Sequence, residues 1–211
     1  MAKIIITVAQ DANSELTIKK SRFITSVHRA TNEKEARSFI DRVSTANRKA
    51  THNCFAYQCG DNNEVQRESD NGEPSGTAGV PILKALQMED VHNTVIVVTR
   101  YFGGIKLGAG GLIRAYSNAA TNGIHAAGLV KCVPQRLVQV QSSYSEQGPL
   151  ANWLRKHHLT IADTKFAVNV TTTFFADESI VDQTIAALVN AFNDQLQIKK
   201  LGTHLNEVPI S

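Results

Sequence analysis

Val95-Ile-Val-Val-Thr-Arg-Tyr-Phe-Gly-Gly-Ile-Lys-Leu-Gly-Ala-Gly-Gly-Leu-Ile-Arg-Ala-Tyr116 organises the chain. The β-branched run Val95 to Thr99 predicts a buried strand. It ends in Arg100 and two aromatics, Tyr101 and Phe102, and opens into a loop holding Gly103, Gly104, Gly108, Gly110 and Gly111 before a helix begins. Glycine lets the backbone take φ > 0 and approach a neighbour closely. Arg100, Lys106 and Arg114 place positive charge along the loop. A strand, a glycine loop and a helix start with fixed cations suit an anion site, because the first N–H groups of a helix lack intrahelical partners. The competing reading is that the glycines only make tight turns and close packing.

A second punctuated segment, Ser69 to Pro81, precedes a helix over Ile82–Met88. Ser75 or Thr77 is the expected cap, and Pro81 fits only within the first turn. With Gly76 it forms another glycine-bearing helix start, here carrying Asp70 and Glu73. These acids could form a carboxylate pair or hold a metal. The preferred alternative is a turn at Asp70-Asn71-Gly72, with Glu73 near the helix start, where the dipole favours negative charge. Upstream, Thr51 to Gln58 alternates as a strand, with His52, Cys54 and Ala56 on one side and Asn53, Phe55 and Tyr57 on the other. His52 with Cys54 could be a nucleophile pair, but a structural thiol beside a hydrogen-bonded histidine is the commoner arrangement. Cys54 and Cys59 lack the second pair that a zinc site needs. No metal and no cofactor is expected.

Nucleotide fingerprints fail. Gly103 and Gly108 have Walker A spacing, yet Ala109-Gly110 stands where Lys and Ser/Thr are required. The loop has no G-x-G-x-x-G, so a dinucleotide fold is unsupported. Leu107 to Leu112 loosely resembles the phosphate loop of GHMP small-molecule kinases but lacks its paired serines.

The chain has 211 residues, 42% hydrophobic and 19% charged, enough for one or two globular domains. No apolar run reaches membrane-span length, and three cysteines are too few for a disulfide framework. A cytosolic protein is expected, with no membrane partner. The formal charge of +3 is uneven: residues 1–135 carry 16 Lys+Arg against 12 Asp+Glu, residues 136–211 carry 6 against 7. A basic first part permits an RNA partner.

The remaining pattern predicts short strands at Ile4–Val8, Glu15–Lys19 and Ser21–Val27, then a helix capped by Asn32 or Thr31. Asp61 to Asn63 signals a hairpin. After a helix ending at Gly128, Lys131 to Pro134 reads as a boundary, giving domains 1–131 and 132–211. The second follows a β-α-β-β-α-β order: strand 136–141, helix 146–158, a short strand near Thr160, strand 165–174, helix 178–192, strand 195–203. That is the ferredoxin-like pattern, so an α+β fold of two domains is expected. Trp153 and Leu154 should face that sheet.

Three blocks, Ala50–Tyr57, Asp70–Pro81 and Val97–Tyr116, resemble the IMPACT/YigZ family. Arg100-Tyr-Phe-Gly-Gly104 with Lys106-Leu-Gly108 is similar to that family's signature. The resemblance implies a first domain folded like the second domain of a small-subunit ribosomal protein and domain IV of elongation factor G. It implies a second domain like elongation factor G domain V. Such a pair suggests a non-enzymatic protein that contacts RNA or the ribosome and influences translation. Arg100, Lys106 and Arg114 would neutralise phosphates, Tyr101 and Phe102 would stack on bases, and the glycines would allow close approach. Eukaryotic relatives act on an amino-acid-starvation kinase pathway through an extra amino-terminal domain; the chain is expected to lack it. Asn71 departs from the Asp usual in relatives. Two other readings stand: an enzyme acting on phosphates or nucleotides in a cleft lined by His52, Asp70, Glu73 and Arg100, and a module that binds a protein partner.

Overall fold

The computed structural model describes residues 4–60 and 62–210. Two compact units are present among the described residues, one over Val133–Glu207, the other formed by residues 4–132 together with 208–210.

The larger unit is built on an antiparallel five-stranded sheet. Its strands are β2 (Ala12–Ile18), β3 (Ser21–Arg29), β4 (His52–Cys59), β5 (Val65–Ser69) and β6 (Thr94–Tyr101), in the order β2-β3-β6-β4-β5. The central strand is β6, paired with both β3 and β4. Helices cover both of its faces, which explains why its sequence is almost uniformly apolar rather than alternating. Ile96 and Val98 point into the core made with α2 (Gly79–Met88) and α3 (Ala109–Ala127). Val95 and Val97 meet α1 (Glu33–Ala46) through Phe39, Ile40 and Val43. Asn32 caps α1 as expected, its side chain accepting from the Glu35 N–H at 3.0 Å. The alternation expected for β4 also holds: Cys54 and Ala56 enter the first core, Phe55 and Tyr57 the second.

Gly123 lets α3 lie close on the sheet. A Cβ there would stand 2.5 Å from Thr25 Cγ2 and 2.9 Å from Val27 Cγ2. The Thr25 hydroxyl donates to the Ala119 carbonyl at 3.0 Å, so contact with the helix is polar as well as apolar. Of the chain's first strands, β1 (Ile5–Val8) pairs instead with the opening residues of β7 (Leu129–Ser142). The hairpin signalled at Asp61 joins β4 to β5, and Asp61 itself lies outside the described residues.

The smaller unit adds α4 (Tyr144–Lys156), β8 (Ile161–Phe166), β9 (Val170–Asp177), α5 (Val181–Ala191) and β10 (Gln197–Pro209). Its strand order, β10-β7-β9-β8, with both helices packed into one core, is the ferredoxin-like arrangement. A Ser143/Glu146 capping box starts α4. Leu154 is buried in that core and Trp153 packs against it. One expectation is corrected here: the strand read over 165–174 is two strands, because the chain reverses through Ala167, Val168 and Asn169 between β8 and β9.

Candidate functional site

Arg100 follows Ile96 and Val98 on the face of β6 that meets α3, and there its side chain turns inward. It is 5% exposed. One guanidinium nitrogen donates to Glu73 Oε1 at 2.6 Å, and the other reaches Ser21 Oγ at 3.3 Å. The rings of Phe23 and Phe102 each stand 5.4 Å from the guanidinium carbon. This corrects the reading of Arg100 as a cation offered to phosphates, since its charge is already engaged by a buried carboxylate. Glu73 is corrected with it: expected to serve the dipole at the following helix start, it is instead 8% exposed and paired with Arg100. Tyr116, on α3, donates to the same Oε1 at 2.8 Å. Tyr116 escaped the sequence reading of the site. It stands four residues after Leu112 and so shares its buried helix face, which marked it as core rather than as a donor.

The second glycine segment is held by Asp70. Neither Ser75, which is exposed, nor Thr77 caps α2; the Thr77 hydroxyl donates to the Pro74 carbonyl instead. Asp70 Oδ1 accepts from the N–H groups of Ala78 and Gly79, and Oδ2 from that of Gly76, all within 2.9 Å. One side chain thereby performs the cap from across the loop. Burial works against its charged form, but these backbone donors at Gly76, Gly79 and Ala78 outweigh it and hold the carboxyl below its ordinary 3.8. The stabilisation is therefore complete above that value and is lost as pH falls through the depressed one. Replacing Asp70 by alanine should cost about 1–2 kcal/mol at neutral pH. In thermal scans the gap between the two proteins should close as the solution is acidified below the ordinary carboxylate range; a gap unchanged with pH would contradict the cap.

Between Asp70 and Glu73 the backbone turns with φ of 45° at Asn71 and 88° at Gly72. Asn tolerates that left-handed region better than most residues. Asn71 Oδ1 accepts from the Asn53 N–H at 2.9 Å, an acceptor role that an Asp would fill equally. The Asn71 carbonyl faces His52 Nδ1 at 2.9 Å. A carbonyl only accepts, so Nδ1 carries the proton and Nε2 is turned toward Glu73 Oε2, 3.8 Å away. Cys54 is not part of a nucleophile pair. Its sulfur lies 2.9 Å from the Asp70 carbonyl and 3.3 Å from the Tyr116 oxygen, and burial pushes its thiol up to about 12. Among the described residues no group of His, Cys, Asp or Glu is placed to hold a metal.

His52, Glu73 and Arg100 line a cavity of about 410 Å³. Pro74, Phe102, Leu107 and Leu112 give it apolar walls, and Gly108 and Ala109, at the start of α3, line it as well. The glycines of the loop separate into different roles. At Gly103 a Cβ would meet the Lys20 backbone at 2.1 Å, so that residue serves the fold itself. Gly104 and Gly108 have φ of 83° and 71° with nothing near, so they shape the loop. The N-cap of α3 is Gly108, with no side-chain cap and no acid in the first turn. Phe102 is 45% exposed, Lys106 and Arg114 are exposed, and Arg114 Nη1 would lie 3.9 Å from a Cβ on Gly110. Tyr101 is half-buried, its hydroxyl donating to Asn47 Oδ1 at 3.0 Å. No helix among the described residues is long and apolar enough to cross a membrane.

Residues 19–124 match the Impact N-terminal domain, and residues 140–195 match a domain of unknown function, DUF1949. The chain is 38% identical over 194 residues to the IMPACT family member YvyE of Bacillus subtilis, covering 92% of this chain and 89% of that one. It is 36% identical over 131 residues to the IMPACT family member YigZ of Escherichia coli, covering 61% and 64%. A solved structure described as a hypothetical protein superposes with a TM-score of 0.60 at 28% identity, covering 94% of this chain and 97% of that one. The chain belongs to the IMPACT family.

Proposed function

We propose that the chain binds RNA, at the ribosome, and influences translation, with the loop after β6 and the first turn of α3 as the contact surface. The observation that carries this reading is the bare start of α3. A 19-residue helix presents its N-terminal N–H groups without a cap or an acidic residue, whereas α2 has the same groups satisfied by Asp70. Such a terminus attracts anions. Lys106 and Arg114 stand beside it in solvent, and Phe102 offers an exposed ring for a base.

Filter binding to a single-stranded RNA across a salt series tests the reading. Affinity should fall as salt rises, and changing Lys106 and Arg114 together to alanine should lower the slope of log affinity against log salt by about 1.4, the loss of two phosphate contacts. Changing Arg155 and Lys156, exposed on the smaller unit, should leave the slope as it was. An unaltered slope in the Lys106/Arg114 variant would remove this surface from consideration. Co-sedimentation with ribosomal subunits, with and without RNase, tests the ribosomal part.

A further inference from the structure

Two polar atoms on the cavity wall face each other without a bond. Glu73 Oε1 is engaged by Arg100 and Tyr116, but Oε2 has His52 Nε2 as its neighbour, at 3.8 Å. The carboxylate side chain is 3% exposed and the imidazole 18%. In its neutral form, with the proton on Nδ1, the ring offers Nε2 as a lone pair toward an oxygen that is also an acceptor. Two acceptors at that separation on a cavity wall suit a partner bringing two protons, one for each. Charge limits the choice. Arg100 already balances Glu73, so a second cation would add repulsion, and a neutral double donor fits better. A vicinal diol is such a donor, with one hydroxyl for each acceptor.

The rest of the cavity matches what a diol-bearing ligand would carry. The bare α3 start and Lys106 line it and suit a phosphate. The ring of Phe102, backed by the Arg100 guanidinium, forms a flat apolar wall suited to a base. A volume of about 410 Å³ lies in the range of small-ligand sites.

We propose that this cavity binds a ribonucleotide with a free 2′,3′-cis-diol, the diol bridging His52 Nε2 and Glu73 Oε2 and the phosphate resting at the start of α3. Within an RNA chain only the 3′-terminal nucleotide has that diol, and a free ribonucleoside 5′-monophosphate has it too. As an RNA end, the site rests on the RNA-binding reading above; as a free nucleotide, it does not.

The test uses the full chain and a 5′-fluorescein-labelled 12-nucleotide RNA in two forms, with its native 3′ end and with a 2′,3′-dideoxy 3′-terminal nucleotide, which lacks the diol. Native RNA should bind about tenfold or more tightly than the dideoxy-ended RNA, and His52→Ala, which leaves the Glu73–Arg100 pair in place, should bring the two forms level. In parallel, 5′-AMP and 2′,3′-dideoxy-AMP are titrated calorimetrically, an arm that needs no variant. Preference for the diol in this arm alone also supports the site and identifies a free nucleotide as its source. Equal affinity for both RNAs together with equal affinity for both nucleotides would overturn the proposal, the gap then holding water only. If RNA binds but without regard to its 3′ end, and nucleotides likewise, this inference fails while RNA binding stands. If no RNA binds and AMP still shows diol preference, RNA binding fails and the site stands.

Discussion

Replacing Glu73 by alanine should destabilise the larger unit by about 3–5 kcal/mol, the cost of leaving a buried charge without its counter-ion. Arg100 is 5% exposed, and the Glu73 carboxylate is its ion-pair partner at 2.6 Å. Its Nε already lacks a hydrogen-bond partner, and the faces of the guanidinium are occupied by Phe23 and Phe102 rather than by water. The Ser21 hydroxyl at 3.3 Å is a poor substitute for a carboxylate. Tyr116 would lose its acceptor as well, while burial keeps its phenol strongly protonated and in need of one. Removing both charges at once, with methionine at 73 and at 100, should restore much of the loss, because apolar groups of similar volume replace a buried pair at little cost. Hydrogen exchange of the β6 amides is the suitable measurement. The single tryptophan, Trp153, reports on the smaller unit and would miss the effect. If β6 in Glu73→Ala opened no more readily than in the parent, the pair would not be holding this end of the sheet.

The second large effect is expected at Gly103. A methyl there would stand 2.1 Å from both the carbonyl carbon and oxygen of Lys20 and 2.5 Å from the Ser21 nitrogen. These are backbone atoms of the β2–β3 turn, so no rotamer change relieves them. The Gly103 N–H also donates to Ser21 Oγ at 3.2 Å, the hydroxyl that faces Arg100. Gly103→Ala should therefore part the loop from the turn and cost about 3 kcal/mol, the upper end of what overpacking usually costs. It should also weaken RNA binding, because the loop carrying Lys106 would shift. Gly104→Ala makes a useful contrast: with nothing within 4 Å and φ of 83°, it suffers only local strain of about 1–2 kcal/mol. Thermal unfolding of the two variants side by side would check the order, and a Gly103→Ala protein as stable as Gly104→Ala would contradict the close approach.

The fold was legible in sequence where one element carried a one-dimensional signal. Val95 to Thr99 announced β6, and the apolar positions of α1 fell on one face because periodicity alone sets them. The break between β8 and β9 was hidden because Ala167, Val168 and Asn169 include neither Gly nor Pro, and Thr171 continues the alternation. Within the site, the structure brings His52, Glu73 and Arg100 together, but their partnerships were not legible in sequence. Arg100 at a strand end reads as surface until its partner is known, and Glu73 lies 27 residues earlier in the chain. Asp70 caps a helix that starts nine residues later, too far for any local capping signature. Lys106, Arg114 and Phe102 are exposed, Phe102 while also packing one face on the Arg100 guanidinium.

The clasp that Asp70 makes on Gly76, Ala78 and Gly79 has a kinetic consequence. One wall of the cavity is set before any ligand arrives, so its assembly adds no step to association and no ordering entropy to the encounter. For a ligand entering as proposed, the wall carrying Glu73 and Pro74 would already be in place, and ordering on binding would fall to the exposed loop from Phe102 to Gly108.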